Sequence, residues 1–120
     1  MIAVTRTVLI VDDHPSFRAT ARALLESEGF RVVAEAPTGA AALTAAREHH
    51  PDVVLLDVQL PDLDGFEVTR RLSSNGASPA VVLVSSRDAS DYGELIAACG
   101  ARGFVPKAEL SGAAVRALLP

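Results

Sequence analysis

Three short, unbroken aliphatic runs constrain this chain more than any other feature: Val8-Leu9-Ile10-Val11, Val53-Val54-Leu55-Leu56 and Ala80-Val81-Val82-Leu83-Val84. Runs this short and this rich in valine favour strands over buried helices. A half-buried strand alternates apolar with polar residues, whereas these present apolar side chains to both faces. They therefore read as strands covered on both sides, the condition of a parallel sheet between two helical layers.

The intervening segments supply the helices. Pro15 suits an early helical position, and the stretch from Pro15 to Ser27 puts Phe17, Ala21, Leu24 and Leu25 on an inner face before Gly29 stops it. Arg31 to Ala36, with Val32 and Val33, reads as a shorter strand. Thr38 is a plausible N-cap for an alanine-rich helix to about His49, which Pro51 ends. After the turn-rich Pro61-Asp62-Leu63-Asp64-Gly65, a helix is expected from Phe66 to about Leu72, then a loop from Ser73 to Pro79. Ser90 or Asp91 is expected to cap a helix through Ala98, with Gly100 as its stop. Gly103 to Pro106 reads as a strand, and Ser111 as the cap of a last helix ending near Leu119. Pro106 cannot donate to a sheet ladder, so its strand belongs at an edge.

Strands and helices thus alternate five times. Right-handed crossovers and the need to bury the three aliphatic runs favour a flavodoxin-like doubly wound α/β sheet of order 2-1-3-4-5. The whole of residues 1–120 reads as one domain, with neither an internal repeat nor a low-complexity linker. Aliphatic content is sufficient for a core, and the lone Cys99 allows no internal disulfide; it reads as a small buried apolar residue near a helix end. Arg6 precedes the first aliphatic run, but Asp12 and Asp13 end it far short of a membrane span, so a soluble cytoplasmic domain is expected. A net charge of -4 argues against nucleic-acid binding by this domain alone. Of the eleven basic residues only Lys107 is a lysine. A compact ammonium kept at one place matters where a point charge must reach a phosphate or carboxylate.

In such a sheet ligands bind outside the carboxyl ends of the strands. Those ends carry Asp12-Asp13, Asp57, Ser85-Ser86 and Lys107. Polar residues resume at any strand end, and an aspartate at such a junction often only caps a helix. The set is harder to explain that way, because three carboxylates brought together repel unless a cation or positive side chain compensates them. Oxygen-only donors favour a hard ion, Mg2+ or Mn2+. A carboxylate beside such an ion, with a hydroxyl and an ammonium near, suits formation of an acyl phosphate.

The segments Val8 to Pro15, Val53 to Pro61 with Asp57, Asp64-Gly65, Val81 to Ser86, and Gly103-Phe104-Val105-Pro106-Lys107 resemble, in order and spacing, the receiver domain of two-component response regulators. The opening Asp-Asp-His-Pro-Ser-Phe-Arg is most similar to receivers of NarL/LuxR-type transcription regulators. The resemblance implies that Asp57 accepts a phosphoryl group from a phosphohistidine on a sensor histidine kinase. It implies that Asp13 and Asp57 bind Mg2+ directly with the backbone carbonyl of Gln59, and that Asp12 acts mainly through metal-bound water. It further gives Lys107 contact with the acceptor carboxylate and then the phosphoryl group. Ser85 would move toward that group after transfer, and Phe104 would be the switch aromatic. The first helix, with Arg18, Ala21 and Arg22, would meet the kinase, and the last helices and strand could form a homodimer. Output would be control of transcription through a domain outside this chain, or else protein contact by a stand-alone receiver.

Two departures from the family stand out. Ala108 follows the lysine where proline is common, so the Lys107–Ala108 bond should be trans. Phe104 carries no hydroxyl. Other readings fit less well: a haloacid dehalogenase-type phosphatase needs an aspartate where Gln59 stands, and Asp12-Asp13 would repel the phosphate of a flavin carrier. A pseudo-receiver that has lost phosphorylation is opposed by the presence of all five site residues. His14 suits a polar helix start better than an Mg2+ ligand. His49 and His50 read as a solvated helix end, and Arg70 and Arg71 as an exposed face.

Overall fold

The computed structural model describes residues 5–74 and 79–120. Five parallel strands, β1 (Thr7–Val11), β2 (Arg31–Ala36), β3 (Val53–Asp57), β4 (Ala80–Ser85) and β5 (Gly103–Pro106), form one sheet of order β2-β1-β3-β4-β5. The three aliphatic strands are central, as their two-sided apolar character requires. The edges are β2, whose pairing with β1 slips between Val8 and Leu9, and β5, where Pro106 stands opposite Ser85.

The pleat sorts these strands into two cores. Leu9, Val11, Val54, Leu56, Val81 and Leu83 pack with Ala42, Val68 and Leu72 from α2 (Gly39–His49) and α3 (Gly65–Ser73). Val8, Ile10, Val53, Leu55, Val82 and Val84 pack on the other face with Ala21, Leu25 and Val115 from α1 (Pro15–Ser27) and α5 (Gly112–Ala117). All twelve strand residues are buried. Asp12 and Asp57 continue the alternation of the second set, and Ser85 continues that of the first. The carboxylates therefore lean toward α1 and α5, and the hydroxyl toward the opposite layer.

Thr38 caps α2 by accepting from the Ala41 amide, and Ser111 caps α5 through Ala114, both as expected. Asp62 adds a second clamp on α2, accepting from the Gly39 and Ala40 amides, which draws its carboxyl below the usual range. Cys99 is buried, with its thiol directed at the Ile96 carbonyl.

Two helical expectations need correction. The segment expected to be one helix capped by Ser90 or Asp91 is instead a 3-10 turn, Ala89–Asp91, and a single-turn helix, α4 (Leu95–Ala98). Asp88 is the cap: it and Asp91 bond each other's backbone in a capping box, and Gly93, at φ +54°, separates the two pieces. The last helix ends at Ala117, because its final turn tightens into i→i+3 bonds from Leu118 and Leu119. Ser73 belongs to α3 rather than to the loop after it, and positions 75–78 of that loop lie outside the described residues.

Candidate phosphoacceptor and metal site

Parallel register brings Asp12, Asp57, Ser85 and Lys107 to one rim of the sheet. Asp12 is fully buried just beyond β1, and Asp57 is 4% exposed at the end of β3. Lys107 Nζ lies 2.6 Å from Asp12 Oδ2 and 3.3 Å from Asp57 Oδ2. The same ammonium sits 4.4 Å from the centroid of the Phe17 ring, a cation–π contact that helps hold it in a partly dry site.

The two carboxylates differ in character. Burial pushes the Asp57 carboxyl up to about 6, against the opposing pull of the Gln59 amide and of Lys107; the neighbouring Asp12 charge adds to the rise. Burial also raises Asp12, but bonds from Lys107 and from the His14 amide and ring outweigh it, so its carboxyl lies below the usual range. For Lys107, burial works against the charge, and the two carboxylates overcome it, leaving the ammonium firmly protonated.

Asp13 is exposed beside this pair. One oxygen each of Asp12, Asp13 and Asp57, with a ring nitrogen of His14, lie within 4.8 Å of one another. Asp12 Oδ2 is buried without a well-aligned hydrogen bond, despite the close approach of Lys107. Three clustered carboxylates with a single ammonium among them are left short of positive charge and fit a hard divalent cation. Gln59 is placed by its own amide, which donates to Asp57 Oδ1 at 3.1 Å, and by a bridge to Asp64. His14 is the N-cap of α1 and makes no side-chain cap bond; its Nδ1 turns to Asp12 at 2.9 Å and Asp13 at 3.1 Å.

The backbone around Asp57 is tight. A Cβ on Gly65 would meet the Asp57 carbonyl oxygen at 2.6 Å and Val58 Cα at 2.8 Å, and the Gly65 amide donates to the Val58 carbonyl at 2.7 Å. Only glycine lets α3 start this close to the end of β3. Among the described residues no peptide bond is cis, so Lys107–Ala108 is trans as expected.

Ser85 is buried, and its Oγ accepts from the Arg87 amide at 3.0 Å and meets the Tyr92 hydroxyl at 2.7 Å. Tyr92 is a residue the sequence reading passed over. Its ring lies between Phe66, 5.5 Å away edge-on, and Phe104, 5.7 Å away. The one available signal was that it is the sole tyrosine of the chain.

A groove of about 470 Å³ opens beside Lys107, lined by Ser16, Phe17, Thr20 and Leu24 of α1 with Ala108 and Leu110. Of the α1 residues expected at a kinase contact, Ala21 is fully buried and so unavailable. Arg18 and Arg22 are drawn aside to Glu35, and Arg18 also donates to the Asp12 carbonyl at 2.6 Å.

Residues 8–118 match the response regulator receiver domain family. The chain belongs to that family. It is 43% identical over 102 residues to the virulence factors putative positive transcription regulator BvgA of Bordetella pertussis, and 35% identical over 101 residues to the DNA-binding transcriptional activator EvgA of Escherichia coli. Those matches cover 85% and 84% of this receiver and 49% and 50% of the relatives, so the chain spans about half the length of these curated relatives. The fold superposes with a TM-score of 0.85 on the receiver domain of the putative response regulator NarL from Mycobacterium tuberculosis, at 36% identity over 97% of this chain and 98% of the other. It also superposes at 0.85 on the chemotaxis response regulator CheY4 of Vibrio cholerae, over 97% and 100% of the two chains, where 24% identity speaks for the fold alone. This is a signalling domain of two-component response regulators, similar to the NarL/LuxR type. Among the described residues no helix is long and apolar enough to cross a membrane.

Proposed function

We propose that Asp57 takes a phosphoryl group from the phosphohistidine of a sensor histidine kinase and that the domain changes conformation in response. The observation that carries this is the pairing of the buried Asp57 carboxylate with Lys107, beside an acidic cluster that lacks enough positive charge of its own. Asp57 Oδ attacks phosphorus, the P–N bond breaks and the imidazole leaves, so the domain promotes its own modification without turning over a separate substrate.

Asp13, Asp57 and the Gln59 carbonyl would hold Mg2+ (or Mn2+), with Asp12 acting through bound water. The ion, when bound, offsets charge on the carboxylate and phosphoryl oxygens. Lys107 supplies a second positive charge, Ser85 donates a hydrogen bond to a phosphoryl oxygen, and Phe104 serves as the switch aromatic. The phosphoryl contacts favour an active arrangement already present as a minor population.

The groove between α1 and the segment after β5 suits a kinase helix, since it opens directly beside Lys107. Leu95 of α4, a large hydrophobic side chain 49% exposed, supports dimerisation through the last helices and strand. The acidic balance leaves nucleic-acid contact, and with it transcriptional control, to another part of a cytoplasmic regulator. Incubation with Mg2+ and acetyl phosphate, read by intact mass, tests the reading. One phosphoryl group should be gained by the wild type and none by Asp57→Ala; retention of the gain in that variant would falsify the assignment.

A further inference from the structure

We propose that Tyr92 is a positioning residue for Ser85, holding the Ser85 proton in the resting protein and returning a proton of its own when a phosphoryl oxygen takes it. The inference rests on Asp57 being the phosphoacceptor. It begins with proton bookkeeping at a buried hydroxyl. A serine hydroxyl has one proton and two lone pairs. The Arg87 amide fills one lone pair of Ser85 Oγ at 3.0 Å. Ser85 is 1% exposed, so bulk water does not reach it, and its other hydrogen-bond partner is the Tyr92 hydroxyl at 2.7 Å.

An unused buried O–H is costly, so at rest the Ser85 proton points at the Tyr92 oxygen. Half-buried Tyr92 can send its own proton to solvent. A phosphoryl oxygen on Asp57 reverses this arrangement. Ser85 then donates to that oxygen, its second lone pair is left open, and Tyr92 fills it by turning from acceptor to donor. Ser85 now donates once and accepts twice, which exhausts its capacity. No covalent bond changes: the Ser85 side chain turns toward the phosphoryl oxygen, Tyr92 follows it, and two hydroxyl protons reorient.

Three features place Tyr92 to pass this change on. Its ring is in aromatic contact with both Phe66 of α3 and Phe104 of β5, so a shift of the phenol bears on both. Phe104 has no hydroxyl, and Tyr92 brings the missing oxygen to Ser85 from the segment between the 3-10 turn and α4. That segment is held by a capping box and a single helical turn, far less than a full helix.

The chain has one tyrosine and no tryptophan, so its tyrosine emission reports Tyr92 alone. The wild type, Ser85→Ala and Ser85→Thr are to be treated with Mg2+ and acetyl phosphate, with emission and intact mass followed on the same samples. Emission should change with the half-time of the mass gain in the wild type and in Ser85→Thr, which keeps the hydroxyl. At equal mass gain, Ser85→Ala should show no such change. A mass gain with steady wild-type emission, or the same emission change in Ser85→Ala, overturns the role of Tyr92 alone. Absence of any mass gain overturns the phosphoacceptor reading, and this inference with it.

Discussion

Lys107 makes its shortest contact with Asp12, at 2.6 Å, and stands 3.3 Å from Asp57, the residue it is expected to serve. The ammonium thus belongs first to the carboxylate that is fully buried. Contact with an incoming phosphoryl group requires only that it loosen the longer of two existing pairings, while Asp12 keeps it in place.

Replacing Lys107 by Met leaves two buried carboxylates without their cation. Stability at pH 7 in EDTA should fall by on the order of 3 kcal/mol, as when one partner of a buried pair is removed. Lys107→Arg should retain Mg2+ binding but accept phosphate poorly, because a planar fork replaces a point charge over Phe17. Denaturant melts and intact-mass time courses check the two; wild-type kinetics in the arginine variant would make the lysine incidental.

Asp57→Asn should stabilise the metal-free protein near neutrality by about 1–3 kcal/mol. The sign follows from linkage. The folded-state carboxyl is raised to about 6 from an ordinary 3.8, so the folded protein holds the proton more tightly than the unfolded chain. The wild type then loses stability as pH climbs from about 4 through 6, and the asparagine variant lacks that loss. Melting temperatures in EDTA between pH 4.5 and 7.5 should diverge upward; parallel curves would remove the burial argument.

Mg2+ at ten times its dissociation constant should stabilise the wild type by about 1.4 kcal/mol. Asp13→Ala should abolish most of this gain while barely altering the melt in EDTA, because Asp13 is exposed and its close partner, His14, is more exposed still. An undiminished Mg2+ response in that variant would take Asp13 out of the ligand set.

Gly65→Ala forces a methyl group into the Asp57 carbonyl. A loss of about 2 kcal/mol is expected from the overpacking, with slower phosphorylation as the end of β3 shifts. Thermal melts and mass-gain rates measure both; a neutral alanine would mean that α3 can retreat freely.

Much of this was legible because the pleat is strict. Once the aliphatic runs are strands, Asp12 and Asp57 must fall at their ends, and Pro106 must lie at an edge. The segment from Ser86 to Ala98 was not legible. Its polar residues offer several caps in a row, and Asp88 won over Ser90 and Asp91 because it could exchange bonds with Asp91 three residues on. Tyr92 was missed for a related reason: its importance comes from a contact with Ser85 that only the turn after β4 creates. The pairing of Arg18 and Arg22 with Glu35 was not legible either, because helical spacing cannot reveal a partner on a neighbouring strand.

The fifty-position separation of Asp57 and Lys107 has a bearing on how the chain is made. During synthesis both carboxylates leave the ribosome well before the lysine that compensates them. A nascent domain with four strands in place would still hold an uncompensated acidic pocket, and β5, in closing the sheet, relieves part of that repulsion. The last strand to arrive is therefore drawn in by charge as well as by hydrophobic contact, and a chain cut short before Lys107 keeps a penalty that chains carrying it escape.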